Sequence, residues 1–92
     1  MITSFRHKAL EALFLYDQSK GLQQSQVRRL RGLLLILNNA HAIGDIDRPG
    51  LNLHPLKGGR VGFWSIRVDG NYRLIFRFED GDALDVDLVD YH

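Results

Sequence analysis

Ninety-two residues, 45% of them apolar, suit one compact domain over 1–92 and leave no room for two independent cores. The absence of cysteine removes disulfide frameworks and thiolate chemistry, and the longest apolar run, Leu33 to Leu37, is far too short to cross a bilayer. The net charge is only +1, but Arg28, Arg29 and Arg31 cluster together, Lys57, Arg60, Arg67, Arg73 and Arg77 crowd the middle, and most acids fall between Glu79 and Asp90. That asymmetry permits a local anion site without general stickiness.

The first ten residues, MITSFRHKAL, carry no signal-like hydrophobic region, so a cytoplasmic location without membrane partners is expected. Ile2 to Phe5 is a short strand candidate. Lys8 to Lys20 reads as a helix with a wide apolar face (Ala9, Leu10, Ala12, Leu13, Phe14, Tyr16) and Gly21 as its C-terminal stop. Ser25 fits as the N-cap of a second helix reaching about Asn39, in which Val27, Leu30, Leu33, Leu34 and Leu37 recur at three and four residues. Arg28 and Arg29 sit near its start, where cations oppose the helix dipole. They read as a solvated face or as a contact for an anionic partner.

After a turn-rich connector, Asn38 to Gly50, the segment Leu51 to His54 returns to a short strand that Pro55 confines to an edge or ends. Gly58, Gly59 and Gly62 mark a flexible basic loop. Two alternating strands follow. Trp64, Ile66 and Val68 share a face with Leu74, Phe76 and Phe78, while Ser65, Arg67, Arg73, Ile75 and Arg77 point the other way and present cations.

Parity sets the connections. Facing residue numbers must sum to an even number if even positions of both strands line one core, since a one-residue slip turns every side chain over. A three-residue loop Asp69-Gly70-Asn71 satisfies this, with Gly70 or Asn71 at positive φ. It places Val68 opposite Tyr72, Ile66 opposite Leu74, Trp64 opposite Phe76 and Arg67 opposite Arg73. A last strand from Ala83 to Tyr91, with Leu84, Val86 and Leu88 inward, fits a similar loop at Asp80-Gly81-Asp82. Arg77 then faces Asp85, Arg73 faces Val89, and Tyr91 lies on the diagonal from Arg73, at roughly 7–8 Å. Like charges directly opposite destabilise a sheet, so the Arg67–Arg73 pair calls for an anion, either an acid nearby or a ligand.

A phosphodiester cleaved without metal needs a base for the nucleophile, an acid for the leaving oxygen and cations for the phosphoryl charge. His54, Lys57, Arg73, Asp90, Tyr91 and His92 contain all three, and a meander of strands can gather them at one rim. Taken singly, each has a structural reading: His54 as a loop residue before proline, Tyr91–His92 as a chain tail, Arg73 as an ion-pair partner of Asp90. The histidines show no metal-ligand spacing, so neither metal nor cofactor is expected.

The run LHPLKGGRVGFWSIRVDGNYRLIFRF with the ending LVDYH resembles the HigB toxins of the RelE/ParE superfamily. The shared pattern is His-Pro-Leu-Lys-Gly, a Trp-Ser-Ile-x-Val strand, Asn-x-Arg at the next strand start and Asp-Tyr-His at the end. It is supported by Phe5-x-His7-Lys8 and the helix pair before it. The resemblance implies an α+β, RelE-like fold in which an antiparallel sheet is packed on one face by two N-terminal helices. It implies a ribosome-dependent endoribonuclease cutting mRNA in the decoding site, with His54, Lys57, Arg73, Asp90, Tyr91 and His92 as catalytic residues and Asn71 beside them. It also implies a HigA-like helix-turn-helix antitoxin, with DNA reached only through that complex. Arg28, Arg29, Arg31, Arg60 and Arg67 are candidates for RNA or ribosome contact. A ParE-like gyrase inhibitor and a non-catalytic RNA- or ribosome-binding module are the alternatives.

Overall fold

A computed structural model describes residues 1–91. Two helices, α1 (Lys8–Tyr16) and α2 (Gln24–Asn39), precede four strands: β1 (His54–Pro55), β2 (Trp64–Arg67), β3 (Tyr72–Glu79) and β4 (Asp82–Asp90). The strands form one antiparallel sheet in the order β1-β2-β3-β4. The α+β architecture, two helices against a four-stranded antiparallel sheet, is the one anticipated.

The main core is made by one face of that sheet. Leu10 and Leu13 of α1 and Val27, Leu30, Leu33, Leu34 and Leu37 of α2 cluster with Ile66, Leu74, Phe76 and Val86. The period of three and four on the helices meets the period of two on the strands, so both apolar faces are removed from water together.

Both helices begin or end differently from expectation. α1 stops at Tyr16, short of Lys20, because Asp17 takes a left-handed conformation (φ 55°). Its N–H reaches the Leu13 carbonyl at 3.0 Å and the Gln18 N–H reaches that of Ala12 at 3.2 Å, which satisfies the orphan carbonyls of the last turn. At its start the His7 imidazole accepts from the Leu10 N–H at 3.3 Å, an N-cap. α2 begins at Gln24, with Gln23 at the cap position and no side-chain cap bond, so Ser25 lies inside the first turn. The N-terminal strand candidate makes parallel bridges to β4, Ile2 with Ala83 and Phe5 with Val86. β1 is displaced from Leu51–His54 to His54–Pro55, although the Arg67 N–H still bonds the Leu51 carbonyl at 2.7 Å.

The β2–β3 register is the one that parity required: Trp64 faces Phe76, Ile66 faces Leu74 and Arg67 faces Arg73. The Val68 N–H bonds the Tyr72 carbonyl at 3.0 Å, closing the loop Asp69–Asn71. Neither Gly70 nor Asn71 has positive φ. The Asp69 carboxylate bends the chain instead, accepting the N–H groups of Asn71 and Tyr72 at 2.9 Å each.

The β3–β4 connection departs from the proposed three-residue loop. Glu79 pairs with Asp82 across Asp80 and Gly81, which have φ 53° and 82°, a two-residue turn whose twist matches the strands. The facing numbers near it, such as Phe78 with Ala83, have an odd sum. A bulge in β4 between Leu84 and Asp87, opposite Ile75 to Arg77 and with Asp85 at φ 52°, restores the even sum, so that Leu74 faces Leu88 and Arg73 faces Val89. Arg77 therefore faces Leu84 rather than Asp85, and Ala83 replaces Leu84 as the fully buried residue. Arg77 pairs instead with Glu79 at 2.9 Å.

Candidate active site

The face of the sheet opposite the helices is not uniformly cationic. Ser65 (0% exposed) and Ile75 (2%) are buried there along with Phe63. Cross-strand partners share a face, so His54, paired with Ser65, and Ser65, paired with Ile75, stand in one row with Asp87. Arg67, Arg73 and Val89 form another row on the same face, two residues along.

Arg73 is the best-fixed cation on this face. Its Nη1 donates to the Asp69 carbonyl at 2.7 Å and to the Tyr72 carbonyl at 3.0 Å. Its guanidinium carbon lies 4.6 Å from the centre of the Tyr91 ring, a cation–π contact that bears out the diagonal placement. Its Nε is buried and has no hydrogen-bond partner among the described residues. The Tyr91 N–H is itself held by the Asn71 carbonyl at 2.6 Å. The β2–β3 turn thus grips Arg73 through Asp69 and Tyr91 through Asn71.

The Arg67–Arg73 repulsion is relieved within the chain. Arg67 is exposed, while Arg73 is turned toward two carbonyl oxygens and the face of Tyr91, with the Asp69 carboxylate attracting it. The like-charged pair therefore does not by itself demand a bound anion. The Asp69 carboxyl is held below its ordinary range, first by the Gln26 amide and then by the Asn71 N–H, with smaller help from the Tyr72 N–H and Arg73.

His54 presents an ordered imidazole on the sheet edge. Its Nδ1 lies 2.9 Å from the Asn52 carbonyl, which can only accept, so the neutral ring carries its proton on Nδ1 and keeps Nε2 as the basic nitrogen. Asn52 takes φ 53°, a conformation asparagine tolerates better than most residues. From strand spacing, the Cα atoms of His54 and Arg73 are about 12 Å apart, a gap that two long side chains and a phosphodiester can span.

Lys57 and Arg60 are exposed on the loop after β1, where Gly58–Arg60 forms a single 3-10 turn. Asp90 is exposed and faces Tyr72 across the ladder. His92 lies outside the described residues. Thus the structure brings Arg73 and Tyr91 into contact, puts His54 on their face, and sets Asp90 beside Tyr91 in sequence at the strand end. Lys57 stands on a separate loop. Among the described residues, no three His, Asp or Glu side chains converge in a way that could hold a metal ion.

The basic cluster on α2 divides. Arg29 reaches off the helix to three backbone carbonyls, those of Val68 (3.2 Å), Gly50 (3.2 Å) and Arg67 (2.8 Å). Arg31 pairs with Asp17 at 2.8 Å. Arg28 is exposed. Two of the three cations thus have partners inside the chain.

Gln26 is the residue that sequence reasoning missed. It is buried (3% exposed), and its amide donates to the Asp69 carboxylate at 2.9 Å. The signal was present: Gln26 precedes Leu30, Leu33, Leu34 and Leu37 at the spacing of the apolar stripe, and a polar residue in such a slot must find a partner.

Comparison with known proteins gives the family and the fold. Residues 3–92 match the family model of HigB-like toxins, described as RelE-like toxins of type II toxin–antitoxin systems. The chain is 42% identical over its full length to the full length of Endoribonuclease HigB of Proteus vulgaris. It is 38% identical to Toxin HigB-1 of Vibrio cholerae serotype O1, over 91% of this chain and 90% of that one. Two solved structures share the fold. YafQ of E. coli strain BL21(DE3) has a TM-score of 0.57 at 16% identity, covering 98% of this chain and 93% of that one. YoeB in its complex with YefM from Staphylococcus aureus has a TM-score of 0.58 at 20% identity, covering 100% and 98%. The chain belongs to the HigB-like toxins, RelE-like members of type II toxin–antitoxin systems.

Proposed function

We propose that this chain is an endoribonuclease that cuts mRNA in the decoding site of the ribosome. The relative called Endoribonuclease HigB, identical at 42% of positions end to end, supports the reaction class. The observation that carries the site is Arg73, a guanidinium fixed by two carbonyls against Tyr91, on the sheet face it shares with His54.

The reaction is metal-independent transesterification without a cofactor. The 2′-oxygen of one nucleotide attacks its own 3′-phosphate, the bond from phosphorus to the next 5′-oxygen breaks, and a cyclic phosphate and a free 5′-hydroxyl result. One proton leaves the 2′-hydroxyl and another reaches the 5′-oxygen. His54 and His92 serve as the acid–base pair, since imidazole can both take up and give a proton in catalysis. Arg73 and Lys57 stabilise the charge on the phosphorane. Asp90 orients a histidine, and Tyr91 stacks on a base or relays a proton. Asn71, Arg60, Arg67, Arg28 and the remaining α2 cations, Arg29 and Arg31, are the candidate contacts to mRNA or ribosomal RNA. A substrate held by the ribosome relieves a chain of this size of much of the work of orienting it. A helix-turn-helix antitoxin holds the toxin inactive, and DNA is contacted only through that partner.

Primer extension on mRNA carried by programmed ribosomes, comparing wild type with His92→Ala, tests this reading. Cleavage in the decoding codon that disappears in the variant is the expected result. Cleavage unchanged by His92→Ala moves the acid–base chemistry to other residues. No cleavage by the wild type, with DNA damage on expression, favours a gyrase inhibitor. Ribosome binding without cleavage favours a binding module.

A further inference from the structure

We infer that Asp69 and Gln26 are positioning residues for the cleavage reaction, which act by fixing Arg73 and Tyr91 through the β2–β3 turn. The inference rests on the reading of Arg73 as the cation that meets the scissile phosphate.

Three observations converge on this turn. The Asp69 carboxylate accepts the Asn71 and Tyr72 N–H groups, both at 2.9 Å, and so sets the path of the backbone. The same residue's carbonyl accepts the Arg73 guanidinium at 2.7 Å, while the Asn71 carbonyl accepts the Tyr91 N–H at 2.6 Å. Two site residues from different strands therefore take their coordinates from one three-residue loop. The loop in turn is tied to α2 by Gln26 Nε2 on the Asp69 carboxylate at 2.9 Å and by Arg29 on the Val68 and Arg67 carbonyls.

A hairpin turn of this length needs no such tie. Neither Gly70 nor Asn71 adopts positive φ, so the loop lacks the backbone lock that turn glycines often provide. Its geometry depends on one carboxylate, and a buried amide on a helix holds that carboxylate. Removing the tie leaves the strands paired but lets the Asp69 carbonyl wander, and a misplacement of about 1 Å in a catalytic group can cost on the order of 100-fold.

The test compares single-turnover cleavage of end-labelled mRNA on programmed ribosomes at saturating toxin for wild type, Asp69→Ala, Asp69→Asn, Gln26→Leu and Arg73→Ala. Thermal unfolding verifies that each variant is folded. Asp69→Asn keeps an acceptor for both turn N–H groups, and the Gln26 amide rotates to pair with the new one. Asp69→Ala is expected to lose roughly 10- to 100-fold in the maximal rate, with little change in half-saturation. Gln26→Leu is expected to lose several-fold, and Asp69→Asn to stay within about threefold of wild type. In a ¹H–¹⁵N spectrum the buried Arg73 Nε–H should keep its position in Asp69→Asn and shift or broaden in Asp69→Ala and Gln26→Leu.

Wild-type rates in folded Asp69→Ala or Gln26→Leu, beside an inactive Arg73→Ala, overturn the inference while leaving the Arg73 reading intact. If Asp69→Ala does not fold, Gln26→Leu decides alone. A folded Asp69→Asn as impaired as Asp69→Ala also overturns it, since then charge and not turn geometry is at work. Full activity in Arg73→Ala instead overturns the reading on which the inference rests.

Discussion

The two hairpin turns of this sheet solve the same geometric problem by opposite means. At Asp80–Gly81 the backbone does the work: two left-handed residues make a two-residue turn, and the Asp85 bulge further along β4 repairs the resulting parity. At Asp69–Asn71 the backbone stays at negative φ, and side chains from the turn itself and from α2 set its shape. The first solution is local. The second couples the turn to a helix and holds Arg73 and Tyr91 while doing so, which suits a loop that carries part of a candidate site rather than only connecting strands.

The largest effect that would sharpen this contrast lies beside the side-chain-built turn. Arg73→Ala should lower RNA cleavage by at least about 100-fold, the scale for removing one charge-stabilising donor. It should cost the fold about 1–3 kcal/mol, from the lost contact with Tyr91 and the two hydrogen bonds to the Asp69 and Tyr72 carbonyls. Cleavage kinetics with a denaturant titration check both numbers, and an unfolded Arg73→Ala would make the residue structural.

The backbone-built turn should show the reverse pattern. Gly81 has φ 82°, and an added Cβ would lie 3.1 Å from the His41 carbonyl oxygen. Gly81→Ala should destabilise by about 1–2 kcal/mol while the folded protein cleaves at the wild-type rate. A smaller effect is expected at the bulge. The Asp85 N–H donates to Ser4 Oγ at 2.8 Å, so Ser4→Ala should cost about 1 kcal/mol. Loss of cleavage in either folded variant would break the comparison, because it would place the site under the control of both turns.

The subtlest difference is in pH dependence. The Asp69 carboxyl is held low, chiefly by the Gln26 amide and next by the Asn71 N–H. Its stabilising contribution is therefore complete above the unfolded-state pKa of about 3.9 and is lost as pH falls through the lower folded value. Asp69→Asn has no such proton to take up. The stability gap between wild type and Asp69→Asn should shift against the wild type as pH is lowered through that window. Equal slopes in urea titrations between pH 2 and pH 6 would show that the carboxylate is no better held in the folded chain.

These contrasts also show where sequence reading reaches and where it stops. The strand faces of β2 and β3, their register and the count of three residues in the loop were legible, because period 2 leaves only one parity that buries Ile66, Leu74 and Phe76 together. The approach of Tyr91 to Arg73 rested on a three-residue Asp80–Asp82 loop that the structure does not have, and the placement survives because the bulge restores the pairing of Arg73 with Val89. The β3–β4 turn was misjudged for a related reason: parity limits the sum over the whole hairpin, and a bulge can restore that sum anywhere along it. Ala83 and Asp85 carry no mark that distinguishes a three-residue loop from a two-residue turn plus a bulge.

Alternation and amphipathic spacing by themselves determined an α+β chain with one buried sheet face, and the run of motifs from His54 to the chain end pointed to the toxin family. Those properties are periodic or contiguous along the chain, so local sequence contains them. Only the tertiary structure decided what the polar groups do. Arg29 leaves its helix for carbonyls on another element, Gln26 finds Asp69 forty-three positions away, and Arg73 turns onto Tyr91. A buried donor must be satisfied, but which acceptor satisfies it depends on which distant backbone arrives within about 3 Å, and no spacing in the chain states that.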